Sequence, residues 1–104
     1  MNYRTLGKTG FKISEVSLGT WQLGGKWGTE FDHNVAQKTL EEAIAHGCNF
    51  IDTADVYKAT DSEVAVGKAI KNADKRIYVA TKFGRQINPH TNENYTAEKL
   101  RSYV

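Results

Sequence analysis

The chain has 104 residues with 14 basic and 12 acidic side chains and a net charge of +2, which suits one ordinary domain and excludes a highly charged disordered chain. The basic residues are scattered, no apolar stretch approaches the roughly 20 residues of a membrane span, and no apolar signal segment follows Met1, so we expect no nucleic-acid partner, no membrane partner and a cytoplasmic location. The single cysteine, Cys48, lies in an apolar run, and we therefore expect a buried thiol.

The first predicted element is a β-hairpin over residues 1–14. Apolar and polar residues alternate on both sides of a segment at 7–10 whose glycines suit a tight turn. A parallel strand is predicted next, over residues 15–20, and a glycine-rich loop at 24–28 follows it.

A first helix is predicted from about Val35 to His46. Asp32 or Asn34 can cap its start, and Gly47 can adopt the left-handed conformation that often follows a helix. The helical spacing puts four apolar residues on one face: Ala36, Leu40, Ala43 and Ile44.

A second strand is predicted over 49–53, and a second helix beginning at Asp61 or Ser62. Three residues of this helix share helical spacing: Val64, Gly67 and Ile70. Glycine is a poor helix former, so we expect close packing at Gly67. A third strand is predicted over residues 76–82.

The last segment is a polar loop from about Phe83 to Tyr95, followed by a helix that Thr96 caps. Strands that alternate with helices predict a parallel sheet with right-handed crossovers. The sequence therefore predicts an α/β fold with a hairpin over 1–14 and three βα units over 15–104, the third helix being cut short.

Three polar residues lie near the ends of two predicted strands. Asp52 lies at the end of one strand, Lys82 ends the next, and Tyr57 follows Asp52 by five residues. The carboxyl ends of parallel strands share one rim, so these side chains can meet. An ammonium beside a phenol favours the phenolate, so Lys82 would make Tyr57 a better proton donor and Asp52 would hold Lys82. Such a set suits carbonyl reduction, but the spacing fits a purely structural ion pair equally well.

Several segments resemble the aldo-keto reductase family. Tyr3–Ser14 is similar to the family's opening hairpin, and Leu18–Trp21 is similar to the end of its first strand. Gly47–Tyr57, together with Ser62, Glu63 and Gly67, is similar to the family's signature region, and Ala80–Lys82 is similar to the end of its third strand. The resemblance covers nearly the whole chain in the same order.

The resemblance implies the N-terminal part of a (β/α)8 TIM barrel whose bottom is closed by the hairpin. It also implies NADPH-dependent (NADP) interconversion of small carbonyl compounds and alcohols. By resemblance, Tyr57 is the general acid, Lys82 tunes it, and Asp52 pairs with Lys82 and faces the nicotinamide ribose. Three further residues would lie near the nicotinamide and the substrate: Gly19, Thr20 and Trp21. Trp21 is left open as an alternative aromatic plug at the mouth of the barrel.

One position departs from the family pattern. The family usually has glycine after the catalytic tyrosine, and Lys58 stands there in this chain. We expect Lys58 to point to solvent. The branch that resembles potassium-channel β subunits also replaces this glycine, which keeps open a regulatory module that holds the cofactor with little turnover. Trp27 is left as either a pocket wall or a loop packing residue.

The chain supplies about three of the eight barrel units, whereas such a barrel needs about 250 residues. The family's catalytic histidine follows the fourth strand. None of the three histidines, His33, His46 and His90, ends a predicted strand. These histidines and Cys48 are not spaced as metal ligands are, so we expect no metal site. The remaining units would come from a further segment or another chain, and this chain alone would be inactive.

Overall fold

The computed structural model describes all 104 residues, Met1 to Val104, as two small sheets and three α-helices. The elements in chain order are β1 (Tyr3–Thr5), β2 (Lys12–Ser14), β3 (Leu18–Gly19), α1 (His33–Ala45), β4 (Phe50–Asp52), α2 (Asp61–Asn72), β5 (Tyr78–Ala80), a 3₁₀ turn (Asn92–Asn94) and α3 (Ala97–Tyr103). No helix is both long enough and apolar enough to cross a membrane.

The hairpin lies at the predicted position and is anchored to the segment before β4. Strands β1 and β2 pair antiparallel, with Tyr3 opposite Ser14. The backbone N–H of Ser14 donates to Oδ1 of Asn49 (2.7 Å), and the backbone N–H of Asn49 donates to Oγ of Ser14 (3.1 Å). This reciprocal pair fixes the hairpin near the amino end of β4.

The second sheet is parallel, with the strand order β3-β4-β5. Gly19 lies opposite Asp52, which lies opposite Ala80, so the carboxyl ends of the three strands are level with each other. The strands are shorter than the predicted ranges 15–20 and 76–82, because a strand extends only as far as its ladder with a neighbour.

Helix α1 begins and ends as its capping residues predict. The Asp32 carboxylate accepts hydrogen bonds from the backbone N–H groups of Asn34 and Val35, both at 3.0 Å. Gly47 follows the helix with a φ of 93°. These bonds satisfy two of the four donors that every helix start leaves free.

The buried residues of α2 are not the row of Val64, Gly67 and Ile70 that shares helical spacing, although Ile70 packs against the core. The buried residues of this helix are Ser62, Ala65, Val66 and Ala69, whereas Val64 is exposed. A Cβ at Gly67 would meet no atom within 4 Å, so the prediction of close packing there is wrong. The face that packs inward consists of small residues and one hydroxyl.

The hydrophobic core lies between the parallel sheet β3-β4-β5 and the helices α1 and α2. Its buried members are Leu23, Ala36, Leu40, Ile51, Ala65, Val66, Ala69 and Ile77. Cys48 is buried with 5% of its surface exposed, as the sequence predicts. The core therefore supports the rim of β3, β4 and β5 from one side.

Thr96 caps α3 by accepting from the backbone N–H of Lys99 (3.2 Å), but no residue of α3 is buried.

Candidate active site

Asp52 and Lys82 form an ion pair at the carboxyl rim of the parallel sheet. Asp52 is the last residue of β4, and Lys82 follows the end of β5 by two residues. The Lys82 Nζ donates to Oδ1 of Asp52 at 2.7 Å and to the backbone oxygen of Thr53 at 2.8 Å. The parallel ladder brings the two strand ends level, which is why residues 30 apart in sequence meet.

Tyr57 lies beside this pair. Its ring centroid is 5.0 Å from the Lys82 Nζ, within the range of a cation–π contact. The turn that carries Tyr57 leaves β4 directly, and the backbone N–H of Tyr57 donates to the oxygen of Ala54 (3.2 Å). The structure thus brings together the three side chains that the sequence predicts to meet.

The charge on Lys82 is stabilised by its neighbours. The hydrogen bond to Asp52 raises the pKa of Lys82 above its ordinary value of 10.5; partial burial opposes this rise, and Tyr57 adds to it. Lys82 is therefore a cation throughout the neutral range. The side chains of Lys82 and Asp52 are 49% and 46% exposed, so both can be reached by a ligand.

A chain of buried hydroxyl groups supports the end of β4. Thr53 and Ser62 share a hydrogen bond of 3.0 Å, Ser62 donates to Oγ1 of Thr20 (2.8 Å), and Thr20 donates to the backbone oxygen of Asp52 (2.9 Å). The three hydroxyl residues are at most 1% exposed. The network joins the ends of β3 and β4 to the start of α2. The sequence does not reveal this network, because isolated hydroxyls carry no periodic signal.

The predicted cofactor residues fall into two groups. Gly19 lies opposite Asp52 at the rim with open space beside it, and Trp21 is 52% exposed. Thr20 differs from the prediction. Its side chain is fully buried, and its hydroxyl is engaged with Ser62 and Asp52, so it supports the rim instead of facing it.

The expectation that Lys58 points to solvent is wrong. The Lys58 Nζ donates to the backbone oxygens of Lys26 (2.7 Å) and Thr29 (2.8 Å) in the glycine-rich loop. Lys58, Ala59 and Thr60 have φ values of 51°, 51° and 79°, in the left-handed region that costs side-chain-bearing residues free energy. Glycine adopts this region without that cost, so the position after Tyr57 suits a glycine by its backbone geometry.

Trp27 lies at the tip of the loop that Lys58 contacts. Its ring centroid is 5.8 Å from that of Trp21, and the two rings are tilted by 37°. An open cavity of about 380 Å³ is lined by Trp27, Gly28, Thr29, Val56, Lys58 and Ala59. Val56 and Lys58 flank Tyr57 in sequence, so this cavity lies next to the turn that carries Tyr57. Trp27 lines the cavity and also contacts Trp21, so it fits both interpretations, a pocket wall and a loop packing residue.

Asp55 is a second residue near Tyr57 that sequence reasoning did not single out. It is 7% exposed, and neither carboxylate oxygen has a hydrogen-bond partner. Its backbone oxygen accepts from the Gln86 side chain at 3.3 Å. Burial of a carboxylate without a partner is costly, and the structure contains no contact that offsets this cost.

Comparison with known proteins gives consistent matches. The model of the aldo/keto reductase family matches residues 15–104. The chain is 34% identical over 109 residues to aldo-keto reductase YhdN of Bacillus subtilis (strain 168), a match that covers 98% of this chain and 33% of that protein. It is 40% identical over 82 residues to the NADH-specific methylglyoxal reductase of Escherichia coli (strain K12), covering 76% of this chain and 25% of that protein.

The fold also matches a solved structure. Aldo-keto reductase AKR11C1 from Bacillus halodurans, in its holo form, superposes with a TM-score of 0.71 at 32% identity, covering 88% of this chain and 29% of that one. The chain thus spans about a third or less of the proteins that it matches. Because the solved relatives are (β/α)8 barrels, the predicted fold class, the α/β N-terminal part of such a barrel, is confirmed.

Proposed function

Because the chain belongs to the aldo/keto reductase family, we propose that it supplies the proton-donating part of an NADPH-dependent oxidoreductase that reduces small aldehydes or ketones to alcohols. The observation that carries this proposal is the contact of 2.7 Å between the Lys82 Nζ and the Asp52 carboxylate, with the Tyr57 ring 5.0 Å from the same nitrogen. A carboxylate, an ammonium and a phenol meet at the rim where barrel enzymes carry their active sites.

Each of the three residues has a distinct role in the proposed reaction. Tyr57 donates its phenolic proton to the carbonyl oxygen of the substrate, and the phenolate left behind is stabilised by the Lys82 ammonium. Asp52 holds Lys82 in place and, through the raised pKa of Lys82, keeps that ammonium charged. The half-exposed side chains allow a substrate to approach the pair.

The rim also has the groups that a nicotinamide cofactor needs. Asp52 presents a half-exposed carboxylate, which can accept hydrogen bonds from ribose hydroxyls, and Gly19 beside it leaves open space. Trp21 offers an exposed aromatic surface next to them. We assign the cofactor contacts to these three residues, with NADPH as the proposed cofactor. When bound, NADPH supplies the hydride that reaches the carbonyl carbon.

We further propose the same division of the chain that the sequence predicts. Residues 1–14 close the bottom of the barrel, and residues 15–104 form its first three βα units. The reciprocal hydrogen bonds between Ser14 and Asn49, below β4 and opposite to the Asp52 rim, support this arrangement.

The proposal is tested by cofactor oxidation in the full-length protein. NADPH and NADH consumption is followed by the absorbance of the reduced nicotinamide with a reactive aldehyde, in the wild type and in Tyr57→Phe. We expect Tyr57→Phe to lose at least about 100-fold in kcat, the usual contribution of general acid catalysis, while it still quenches cofactor fluorescence. Tyr78→Phe, which changes a tyrosine of β5, is the matched control and should keep its turnover.

Each outcome has a clear meaning. Turnover that is unchanged in Tyr57→Phe would refute the role of proton donor. A wild type that binds cofactor tightly but does not turn over would favour the regulatory module. A wild type that binds neither cofactor would refute the assignment of the rim residues, and faster reaction with NADH would correct the cofactor.

A further inference from the structure

We infer that Lys58 is a positioning residue that fixes the glycine-rich loop and so places Trp27 as the wall of the substrate cavity beside Tyr57. This inference rests on the proposed function, because it concerns the affinity of the same site for its carbonyl substrate. The inference goes beyond the proposed function by naming a residue that neither donates a proton nor contacts the cofactor.

The contacts of Lys58 form a clasp between two loops. Its ammonium donates to two backbone oxygens, those of Lys26 and Thr29, which lie on either side of Trp27. A charged donor makes stronger hydrogen bonds than a neutral one, and two bonds fix the loop at two points. The loop contains three glycines with positive φ, Gly24, Gly25 and Gly28. Its own hydrogen bonds near Trp27 are local, from the N–H and the hydroxyl of Thr29 to the Lys26 oxygen, so the Lys58 ammonium is what ties this part of the loop to another loop.

The backbone of Lys58 supports the same conclusion. Three consecutive residues, 58–60, are left-handed, and such strain persists only where surrounding contacts impose it. Side-chain capping does not impose it, because Thr60 makes no capping hydrogen bond at the start of α2. Backbone hydrogen bonds close the turn locally, among them that from the N–H of Asp61 to the Lys58 oxygen (3.1 Å), and the two bonds from Lys58 tie it to the glycine-rich loop.

The cavity shows what the clasp achieves. Trp27 and Val56 supply apolar surface on opposite loops, and Lys58 spans the gap between these loops. Trp27 is 71% exposed and its ring contacts Trp21, so its position depends on the loop that Lys58 holds. Release of the clasp would let Trp27 move away from Val56 across the cavity, so substrate binding would weaken while proton transfer from Tyr57 would not change.

The first test measures the clasp without relying on activity. Trypsin can cut after Lys26, within the clasped loop, and the cut is identified by mass spectrometry. We expect Lys58→Met in the full-length protein to be cleaved there at least fivefold faster than the wild type, and Lys58→Arg to restore slow cleavage. Lys75→Met is the matched control, because Lys75 also donates to a backbone oxygen, that of Ile44 at 2.7 Å, elsewhere in the fold. Equal cleavage rates in Lys58→Met and wild type would overturn the clasp.

The second test measures the effect on the substrate. For an aromatic aldehyde we expect Lys58→Met to raise KM about tenfold and to leave kcat within twofold. In a Trp27→Ala background the same change should raise KM less than twofold, because the wall that Lys58 positions is then absent. Multiplicative effects of the two substitutions on KM, or a fall in kcat with KM unchanged, would overturn the inference. A wild type without turnover would refute the proposed function instead, and the cleavage assay would still report on the clasp.

Discussion

Ser62 is the hub of the buried hydroxyl chain, and its replacement by alanine should destabilise the protein measurably. Ser62 is fully buried and bridges Thr53 and Thr20, which are 1% and 0% exposed. With Ser62 gone, the Thr53 hydroxyl has no acceptor and cannot turn to water. A buried polar group left without a partner costs about 1–3 kcal/mol.

The net effect is smaller than that cost. Alanine is a better helix former than serine by about 0.5 kcal/mol, and Ser62 lies in α2. We therefore expect the free energy of unfolding to fall by about 1–2 kcal/mol, measured by urea denaturation of the full-length protein. Ser102→Ala is the control, because Ser102 is exposed, lies in α3 and donates only within its own helix. A fall of less than about 0.5 kcal/mol relative to Ser102→Ala would contradict the role of the network.

Five other substitutions test the fold by the same denaturation assay. Gly67→Ala should stabilise the protein by up to about 1 kcal/mol, because Gly67 is helical with open space beside it. Gly47→Ala should destabilise the protein, because φ is 93° there and the new Cβ would lie 2.8 Å from the Tyr3 hydroxyl oxygen. Destabilisation by Gly67→Ala would restore the close-packing prediction. Asp32→Ala should cost about 1 kcal/mol through the lost cap of α1, and an unchanged stability would contradict that role. Leu40→Ala should cost about 2–5 kcal/mol, since Leu40 is fully buried, and Val35→Ala on the exposed side of α1 should cost far less.

Local signals explain why much of the fold was predictable. The caps Asp32 and Thr96 and the left-handed Gly47 act through their own backbone neighbourhood, so the sequence shows them directly. The meeting of Asp52 with Lys82 follows from one topological rule, that parallel strands end at one rim.

Features that depend on distant partners were not predictable in the same way. Strand β3 is only Leu18–Gly19 because pairing with β4 sets its length. Lys58 was expected in solvent because no sequence pattern reveals two backbone oxygens of another loop. Helical spacing alone did not reveal the buried face of α2, because Ser62, a polar residue, is buried only where other hydroxyls satisfy it.

The spacing leaves the Asp52–Lys82 pair open as either structural or catalytic, and its exposure lets one variant distinguish the two. Both side chains are about half exposed, and such pairs contribute about 0–1 kcal/mol to stability. Asp52→Asn should therefore lower the free energy of unfolding by no more than about 1 kcal/mol, yet reduce kcat at neutral pH because Lys82 loses its anchor. A large loss of stability with turnover unchanged would favour the structural alternative.

The pH dependence of Asp52→Asn gives a second, independent test of how Asp52 acts on Lys82. Asp52 is the main reason that the pKa of Lys82 is raised above 10.5. A raised pKa means that the stabilisation from the charged Lys82 is complete below its ordinary value and is lost as the pH rises through the higher, folded-state value. Loss of the Lys82 proton, followed by NMR of its side chain, should accordingly occur at lower pH in Asp52→Asn than in the wild type. The same midpoint in both proteins would show that Asp52 does not stabilise the Lys82 ammonium.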